Sequence, residues 1–198
     1  MEEKIKKWVE QVEVLAEVAK VDPHSAYCGF TAVMRHRYTF CMRTVKDISE
    51  TFAPLELAIR SKLIPALTEG RMVTDDERLL LALPPRLGGM GLIDPTKICD
   101  LEYQLSRIAT AELTEAIKSK KVTLPDDFDS KSKKDKARVK KMRVDFYQKV
   151  SADLLERVSP DLAKTIHLAK EKGASNWLTS LPLSEIDFHL SKRILGCC

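Results

Sequence analysis

Apolar side chains recur at steps of three and four residues along most of this chain, which is the period of an amphipathic helix. In residues 2–21 the shared face is formed by Ile5, Trp8, Val9, Val12, Leu15 and Ala19. The period continues from residue 23 to about 45, from 54 to 67 and from 95 to 117. It returns after residue 138 in the stripe Val139, Met142, Phe146, Val150, Leu154 and Val158. The pattern predicts an all-α, multi-helix fold.

Capping and breaking residues give these helices their ends. Asp22 is placed to cap a helix that begins at Pro23, because aspartate accepts the first free N–H groups and proline fits the first helical position. Thr74 and Glu77 have the spacing of a capping box. The helix that follows them must stop before the two prolines at 84–85. The glycine-rich segment after these prolines predicts a tight turn, since it lacks the Lys-Ser/Thr of a phosphate-binding loop.

A polar stretch at 119–137 interrupts the helical pattern. It contains Pro125 and shows no apolar period, which is typical of a linker. The chain is therefore expected to form two helical lobes joined by a polar linker: an N-terminal lobe, 1–118, and a C-terminal lobe, 138–198. Alternation of Ile186, Phe188 and Leu190 predicts a short extended segment in the second lobe, which ends so soon after a helix start that we expect it to be truncated.

Composition narrows the class of protein. With 44% hydrophobic residues the chain of 198 residues can build a core, while only 7 glycines and 6% aromatic residues argue against an all-β fold. No apolar run is long enough to span a membrane, and the segment 1–7 lacks the apolar core of a signal peptide. The 5 cysteines are scattered and odd in number, as expected for reduced thiols. An intracellular protein, cytoplasmic or nuclear and without a membrane partner, is expected.

The strongest charge feature is a basic run opposed only by Asp135. It consists of Lys131, Lys133, Lys134, Lys136, Arg138, Lys140, Lys141 and Arg143. Such a cluster can neutralise phosphates and release counterions, which gives sequence-independent binding to RNA or DNA backbone. The alternative is the solvated face of an amphipathic helix, which is common. Because Val139 and Met142 must point to the core, we expect residues 140, 141 and 143 to flank the apolar stripe and residues 131–136 to lie on the linker.

A second basic group mixes with aromatic side chains. Arg35, Arg37 and Arg43 surround Tyr38 and Phe40, an arrangement that suits a nucleic-acid backbone with stacked bases. The alternative places both aromatic rings partly in the core and leaves the arginines in solvent. We favour this second interpretation slightly. The mild net charge of +4 permits a nucleic-acid partner but does not demand one.

No pattern in the chain predicts catalysis. Asp75 and Asp76 resemble a paired-carboxylate metal site, but the capping box explains both, since acids favour the first turn of a helix. No Tyr-x-Asp-Asp occurs, and no Ser-His-Asp or Cys-His arrangement is suggested by the local sequence. The histidines are not spaced as metal ligands beside a cysteine pair. We therefore expect no enzymatic activity, no metal, no cofactor and no small-molecule substrate.

Several sequence segments along the chain resemble, in their order, segments of one known protein family. They are Lys6–Ala19, Pro23–Thr31, His36–Phe40 with Arg43-Thr44, Pro54–Glu56, Leu63–Thr68, Leu81–Leu92 and Glu171–Leu183. Together they resemble the region that follows the polymerase palm in animal retrotransposon reverse-transcriptase-like polyproteins. Pro23–Thr31, for example, is similar to the Pro-x-Ala-Ala-Tyr-x-x-Phe-Thr stretch of that family.

The resemblance implies a position rather than an activity. The family's fingers and palm, with their catalytic aspartates, would lie upstream, and its zinc-binding and nuclease-like segments downstream. This chain would be the thumb-and-linker stretch, a non-catalytic fragment that contacts nucleic-acid backbone without sequence preference. The alternative is a helical protein-interaction module or a degenerate open reading frame without activity. Clustering of the basic residues on one exposed face favours binding, and their dispersal into ion pairs favours the alternative.

Overall fold

The computed structural model describes residues 1–120 and 126–179, and every regular element in these two ranges is helical. The all-α prediction is therefore confirmed for the described part of the chain. None of its helices is both long and apolar enough to cross a membrane. The predicted extended segment at 186–190 and the truncation of the C-terminal lobe concern residues outside the described ranges.

Within the described ranges, ten α-helices are separated by short turns and by helical segments of other pitch. The α-helices are α1 Glu2–Val21, α2 Pro23–Cys28, α3 Arg35–Thr44, α4 Ala53–Ala58, α5 Ile64–Leu67, α6 Asp75–Ala82, α7 Pro95–Ala109, α8 Ala111–Lys118, α9 Phe128–Leu155 and α10 Pro160–Ala169. The π-helical segments are Gly29–Met34 and Ile59–Leu63, and the 3-10 segments are Glu50–Phe52, Pro85–Leu87 and Asn176–Thr179. Because the π segments continue directly into α-helix on both sides, α2–α3 and α4–α5 are two long, irregular helices.

The main core lies between α1 and the two irregular helices. On α1 the buried face comprises Ile5, Trp8, Val12, Ala16 and Ala19, and this helix has the predicted bounds. The ring of Trp8 stacks on Phe52 with centroids 6.3 Å apart, and Tyr38 meets both rings edge-on. Such offset and edge contacts add to the burial of apolar area. Asp22 caps α2 through the N–H of Ser25, as predicted.

The π-helical segment Gly29–Met34 corrects the predicted face of the second helix. An i→i+5 turn holds an extra residue, so the side chains after it are rotated relative to an ideal α-helix. The apolar period of residues 23–45 predicts one buried face that contains Phe30, Val33 and Met34. Phe30 and Met34 are buried, but Val33, within the π-helical segment, is exposed. Gly29 permits the close approach of α1 here, since a Cβ at this position would lie 3.2 Å from Cδ2 of Leu15.

The predicted long helix at 95–117 is interrupted at Thr110. Its backbone leaves the helical region, with φ −110° and ψ 5°, and separates α7 from α8. The side chains beyond the break are therefore out of phase with the apolar stripe of α7. The apolar period of residues 95–117 predicts that Leu113 and Ile117 point inward with Ile98 and Leu105, but both are exposed.

The glycine-rich turn at 88–92 closes the C-terminus of α6. The helix ends at Ala82, before the prolines, and begins with the predicted capping box of Thr74 and Glu77. The N–H groups of Met90 and Leu92 both donate to the carbonyl of Leu81. A Cβ at Gly89 would collide with the backbone of α6, so this position requires glycine.

Arg78 on α6 joins this turn to the rest of the core. It is 4% exposed, and its guanidinium forms a two-pronged ion pair with Glu56 of α4, with both N–H···O distances 2.6 Å. The same group donates to the carbonyls of Leu92 at 2.7 Å and Ile93 at 3.3 Å. Burial raises the pKa of Glu56, and the Arg78 contacts oppose that shift. Four hydrogen bonds thus satisfy a buried charge that an apolar site would otherwise reject.

The predicted linker at 119–137 requires a correction. Helix α9 begins at Phe128, so residues 128–137 are helical, and the predicted residues 121–125 lie outside the described ranges. Lysine, arginine and alanine all have high helix propensity, and no proline or glycine follows Pro125 in this stretch. Helix propensity therefore extends α9 toward its N-terminus, beyond Val139, where the apolar stripe begins.

Helices α9 and α10 pack on the N-terminal helices through a second core. Leu80 and Leu83, which adjoin the glycine-rich turn, form this core with Leu154 of α9 and Ile166 of α10. Ser159 caps the start of α10, where its hydroxyl oxygen accepts a hydrogen bond from the N–H of Leu162. Leu80 and Leu83 belong to the N-terminal part of the chain and Leu154 and Ile166 to the C-terminal part, so this second core spans the predicted boundary at 119–137.

We predict that Arg78→Met lowers the free energy of unfolding by about 3–5 kcal/mol, because it leaves the buried Glu56 carboxylate without its partner. Urea unfolding followed by circular dichroism measures this change. Arg71→Met is the matched control, since Arg71 is exposed and its ion pair with Glu77 lies at the surface. The control should cost less than about 1 kcal/mol, and equal losses in the two variants would contradict the role given to Arg78.

Candidate nucleic-acid interface

The first half of α9 carries the largest group of exposed cations in the predicted set. Within the described residues none of its six members has an ion pair, and all six are exposed: Lys133, Lys134, Lys136, Arg138, Lys140 and Lys141. We call these six residues the α9 basic face. They include residues 133–136, which sequence analysis placed on a linker and which are helical instead.

The helical geometry of α9 spreads this basic face around its solvent side. Successive residues advance by about 100°, so the six cations cover the side opposite Val139 and Met142, both of which are partly buried. Lys136, Lys140 and Arg143 follow each other at i, i+4 and i+7 and form one edge of the face. That edge leads to the contact between α9 and α7.

At this contact, the buried carboxylate of Glu102 on α7 holds two arginines from different helices. Arg43 of α3 donates its Nε–H to Oε2 at 2.8 Å. Arg143 of α9 donates Nε–H to Oε1 and Nη2–H to Oε2, both at 3.0 Å. Because both guanidiniums contact the same oxygen, they lie side by side.

This triad has both a structural and an electrostatic consequence. The Glu102 side chain is only 6% exposed, whereas those of Arg43 and Arg143 are 49% and 33% exposed. One carboxylate under two guanidiniums leaves a net positive charge at the surface, while the hydrogen bonds tie α3, α7 and α9 together. Arg43 and Arg143 are thus fixed by an ion pair, the arrangement that favours a structural role for these two residues.

Glu102 is not among the residues predicted from the sequence to form a site. Its position between Ile98 and Leu105 on the apolar stripe of α7 was the available signal, because a carboxylate on a buried face needs a partner. Arg78 carries the same signal, because it is a charged residue that directly precedes the three leucines at 79–81, and it is buried. The partners themselves are distant in the chain and are brought close by the fold.

Two further predicted arginines occupy different environments. Arg37 is exposed and donates to Oε1 of Gln11 on α1 at 3.4 Å. Arg35 is half-buried, and its charge acts on Tyr147 of α9. Burial raises the pKa of the Tyr147 phenol to about 12 and the Glu102 charge adds to the shift, whereas Arg143, Arg35 and Arg86 oppose it. Arg35 and Arg86 therefore add positive potential near this part of α9.

The two aromatic rings of the second basic group are separated by the helix. Tyr38 is completely buried, and burial raises the pKa of its phenol. Phe40 is 67% exposed. Residues two positions apart on a helix point in nearly opposite directions, which accounts for the difference. The favoured interpretation, that both rings lie partly in the core, is right for Tyr38 and wrong for Phe40.

The remaining acidic and basic candidates are paired. Lys131 contacts Asp127 at 3.0 Å and Glu112 at 3.8 Å, so it differs from the α9 basic face. Asp75 pairs with Arg60 at 2.6 Å, and Asp76 pairs with Arg157 at 3.5 Å. Among the described residues, no group of three His, Cys, Asp or Glu side chains could hold a metal ion.

A cavity of 290 Å³ lies between α6, α7 and α9. Its walls are mainly apolar and include Leu83, Ile98 and Val150. Asp153 and Arg157 also line it, but Arg157 is the partner of Asp76. The cavity is a gap in the packing beside the second core, and none of its lining residues belongs to the α9 basic face.

No protein-family model, curated protein or solved structure matches this chain. The candidate interface therefore rests on exposure, contacts and charge. These select the α9 basic face as the freely available cations and place Arg43 and Arg143 at its end.

We predict that Glu102→Gln lowers the free energy of unfolding by about 1–3 kcal/mol, because the amide cannot satisfy two guanidiniums as the carboxylate does. Urea unfolding at neutral pH measures the loss. Glu115→Gln removes the same charge from an exposed surface pair with Lys118 on the adjacent helix α8. This control should change the value by less than about 1 kcal/mol; an equally small effect of Glu102→Gln would show that the triad does not stabilise the packing of α3, α7 and α9.

Proposed function

We propose that this chain is a non-catalytic helical module that binds the backbone of RNA or DNA without sequence preference. The observation that carries the proposal is the α9 basic face, six exposed cations without an ion pair among the described residues. The resemblance to the thumb-and-linker region of retrotransposon reverse-transcriptase-like polyproteins supports the same proposal. In that context the module contacts template or primer beside a polymerase domain.

The charge density of the basic face matches that of a nucleic acid. Residues 133–141 span about 12 Å of helix at 1.5 Å per residue. Six positive charges over that length amount to one per about 2 Å, whereas duplex DNA carries one negative charge per about 1.7 Å. Asp135, the one acid within this stretch, is half-buried at the edge of the apolar stripe. Between residues 133 and 141, all the exposed charged side chains of the helix are therefore positive.

The alternative function remains a helical protein-interaction module, or a degenerate open reading frame without activity. Ion pairing of Arg43, Arg143 and Lys131 agrees with that alternative, because these charges already have partners. The six residues of the α9 basic face do not follow this pattern. Salt dependence separates the two functions, since only phosphate binding releases counterions in proportion to the contacts made.

We predict that the unlabelled protein binds a fluorescent oligonucleotide with micromolar or weaker affinity near physiological salt. The logarithm of Kd should depend linearly on the logarithm of the salt concentration. If four to six phosphates are contacted, the slope of log affinity against log salt is about −3 to −5. Fluorescence anisotropy across a salt series measures both quantities. A flat salt response would contradict the proposal and leave the interaction module as the better account.

The triple variant Lys133→Glu, Lys140→Glu, Lys141→Glu tests which surface is responsible. It should abolish measurable binding at physiological salt. Its matched control is Lys4→Glu, Lys6→Glu, Lys7→Glu, which changes the net charge equally on exposed positions of α1. Arg143 is left unchanged because its replacement would also disturb the Glu102 triad. Equal loss in both triple variants would mean that net charge, and not the α9 basic face, governs binding.

We predict that the purified chain has no polymerase activity in a primer-extension assay with Mg²⁺ or Mn²⁺. Nucleotidyl transfer needs two metal ions held by carboxylates, and Asp75 and Asp76 are instead paired with Arg60 and Arg157. The double variant Asp75→Asn, Asp76→Asn is the control for any signal observed. Metal-dependent extension that this variant abolished would overturn the non-catalytic proposal.

A further inference from the structure

The exposed ring of Phe40 is the feature of α3 that backbone binding leaves unused. It is 67% exposed and has no ring contact with another described aromatic residue, in contrast to Trp8, Tyr38 and Phe52 in the core beneath it. Single exposed apolar side chains are common on protein surfaces. Exposure alone therefore gives Phe40 no function, and its surroundings must be considered.

Cationic or cation-forming side chains surround Phe40 on the helix surface. His36, Arg37 and Arg43 lie four residues before, three residues before and three residues after it, which are the positions that adjoin a helical side chain. His36 and Arg37 are exposed, and Arg43 is about half-exposed. An apolar ring within such a set does not suit an ordinary apolar partner surface, because docking there would bury the charges without partners.

The α9 basic face connects to this ring through the Glu102 triad. Arg143 continues the edge formed by Lys136 and Lys140, and its guanidinium lies beside that of Arg43 on the shared Oε2 of Glu102. Phe40 is one helical turn from Arg43, about 4.5 Å along α3. A line of positive charge thus runs from α9 across the triad to the aromatic ring.

We propose that Phe40 stacks against an unpaired base of a single-stranded nucleic acid whose phosphates lie along the α9 basic face. Stacking needs a free base surface, which a single strand offers along its length and a duplex offers only at its ends. Phosphates satisfy the cations around the ring while the base covers its apolar surface. This inference rests on the proposed function and adds to it the class of ligand, single strand in preference to duplex.

The test compares a labelled oligothymidylate of about 12 nucleotides, near the site sizes of other single-strand binders, with a duplex of equal length by anisotropy. Phe40→Ala should weaken single-strand binding about five- to hundred-fold, the range found for loss of one stacked base. Duplex affinity should change less than about twofold because duplex contacts are made to the backbone. Phe40→Trp should retain single-strand binding, whereas Phe40→Leu should lose it, since leucine is apolar but has no π surface.

Leu57→Ala is the matched control, because Leu57 is 65% exposed on α4 and its neighbours on the helix do not include a comparable set of cations. It should leave both affinities unchanged. Thermal melting checks that each Phe40 variant is folded. Phe40→Leu with wild-type single-strand affinity, or an equal loss on single strand and duplex, would overturn the inference.

Failure of this inference is distinguishable from failure of the proposed function. If the triple α9 variant abolishes binding of both ligands while the Phe40 variants bind both normally, backbone binding stands and stacking is rejected. If the wild-type chain binds neither ligand, both proposals are rejected.

Discussion

The buried guanidinium of Arg78 is the contact on which the arrangement of the other helices depends. It connects α6 to Glu56 of α4 and to the carbonyls of Leu92 and Ile93, which precede α7. A buried charge is tolerated only when its donors are satisfied, so these partners must be in place together. Arg78 therefore positions the start of α7 relative to α4 and α6, and α7 in turn carries Glu102.

Glu102 is a second buried charge with partners on other helices, and it lies closer to the surface. A buried carboxylate aligns Arg43 of α3 and Arg143 of α9, two residues that are distant from each other in the chain. In the interior such a pair favours one specific packing because a shifted helix would leave a charge without a partner. The Glu102 contacts also affect the charged surface, because they hold the end of the α9 basic face beside α3. Stability and the candidate interface thus share one group of side chains.

Much of the helical structure follows from local sequence. The bounds of α1, the Asp22 cap, the capping box before α6 and the stop at the prolines depend on residues within a few positions of each other. The predictions from local sequence were wrong for one side chain in a segment of different helical pitch and for the N-terminal part of α9. Val33, which lies within the π-helical segment Gly29–Met34, is exposed, and residues 128–137 are helical because helix propensity prevails where no apolar stripe was visible.

The sequence by itself determined an all-α chain, the caps and breaks of most helices, and the existence of a basic segment with aromatic and arginine-rich neighbours. These properties depend on composition and short-range spacing. Only the tertiary structure decided which charges are available, because that depends on partners distant in the chain. It paired Arg43 and Arg143 with Glu102, left the α9 basic face in solvent, and buried Tyr38 while exposing Phe40 two residues later.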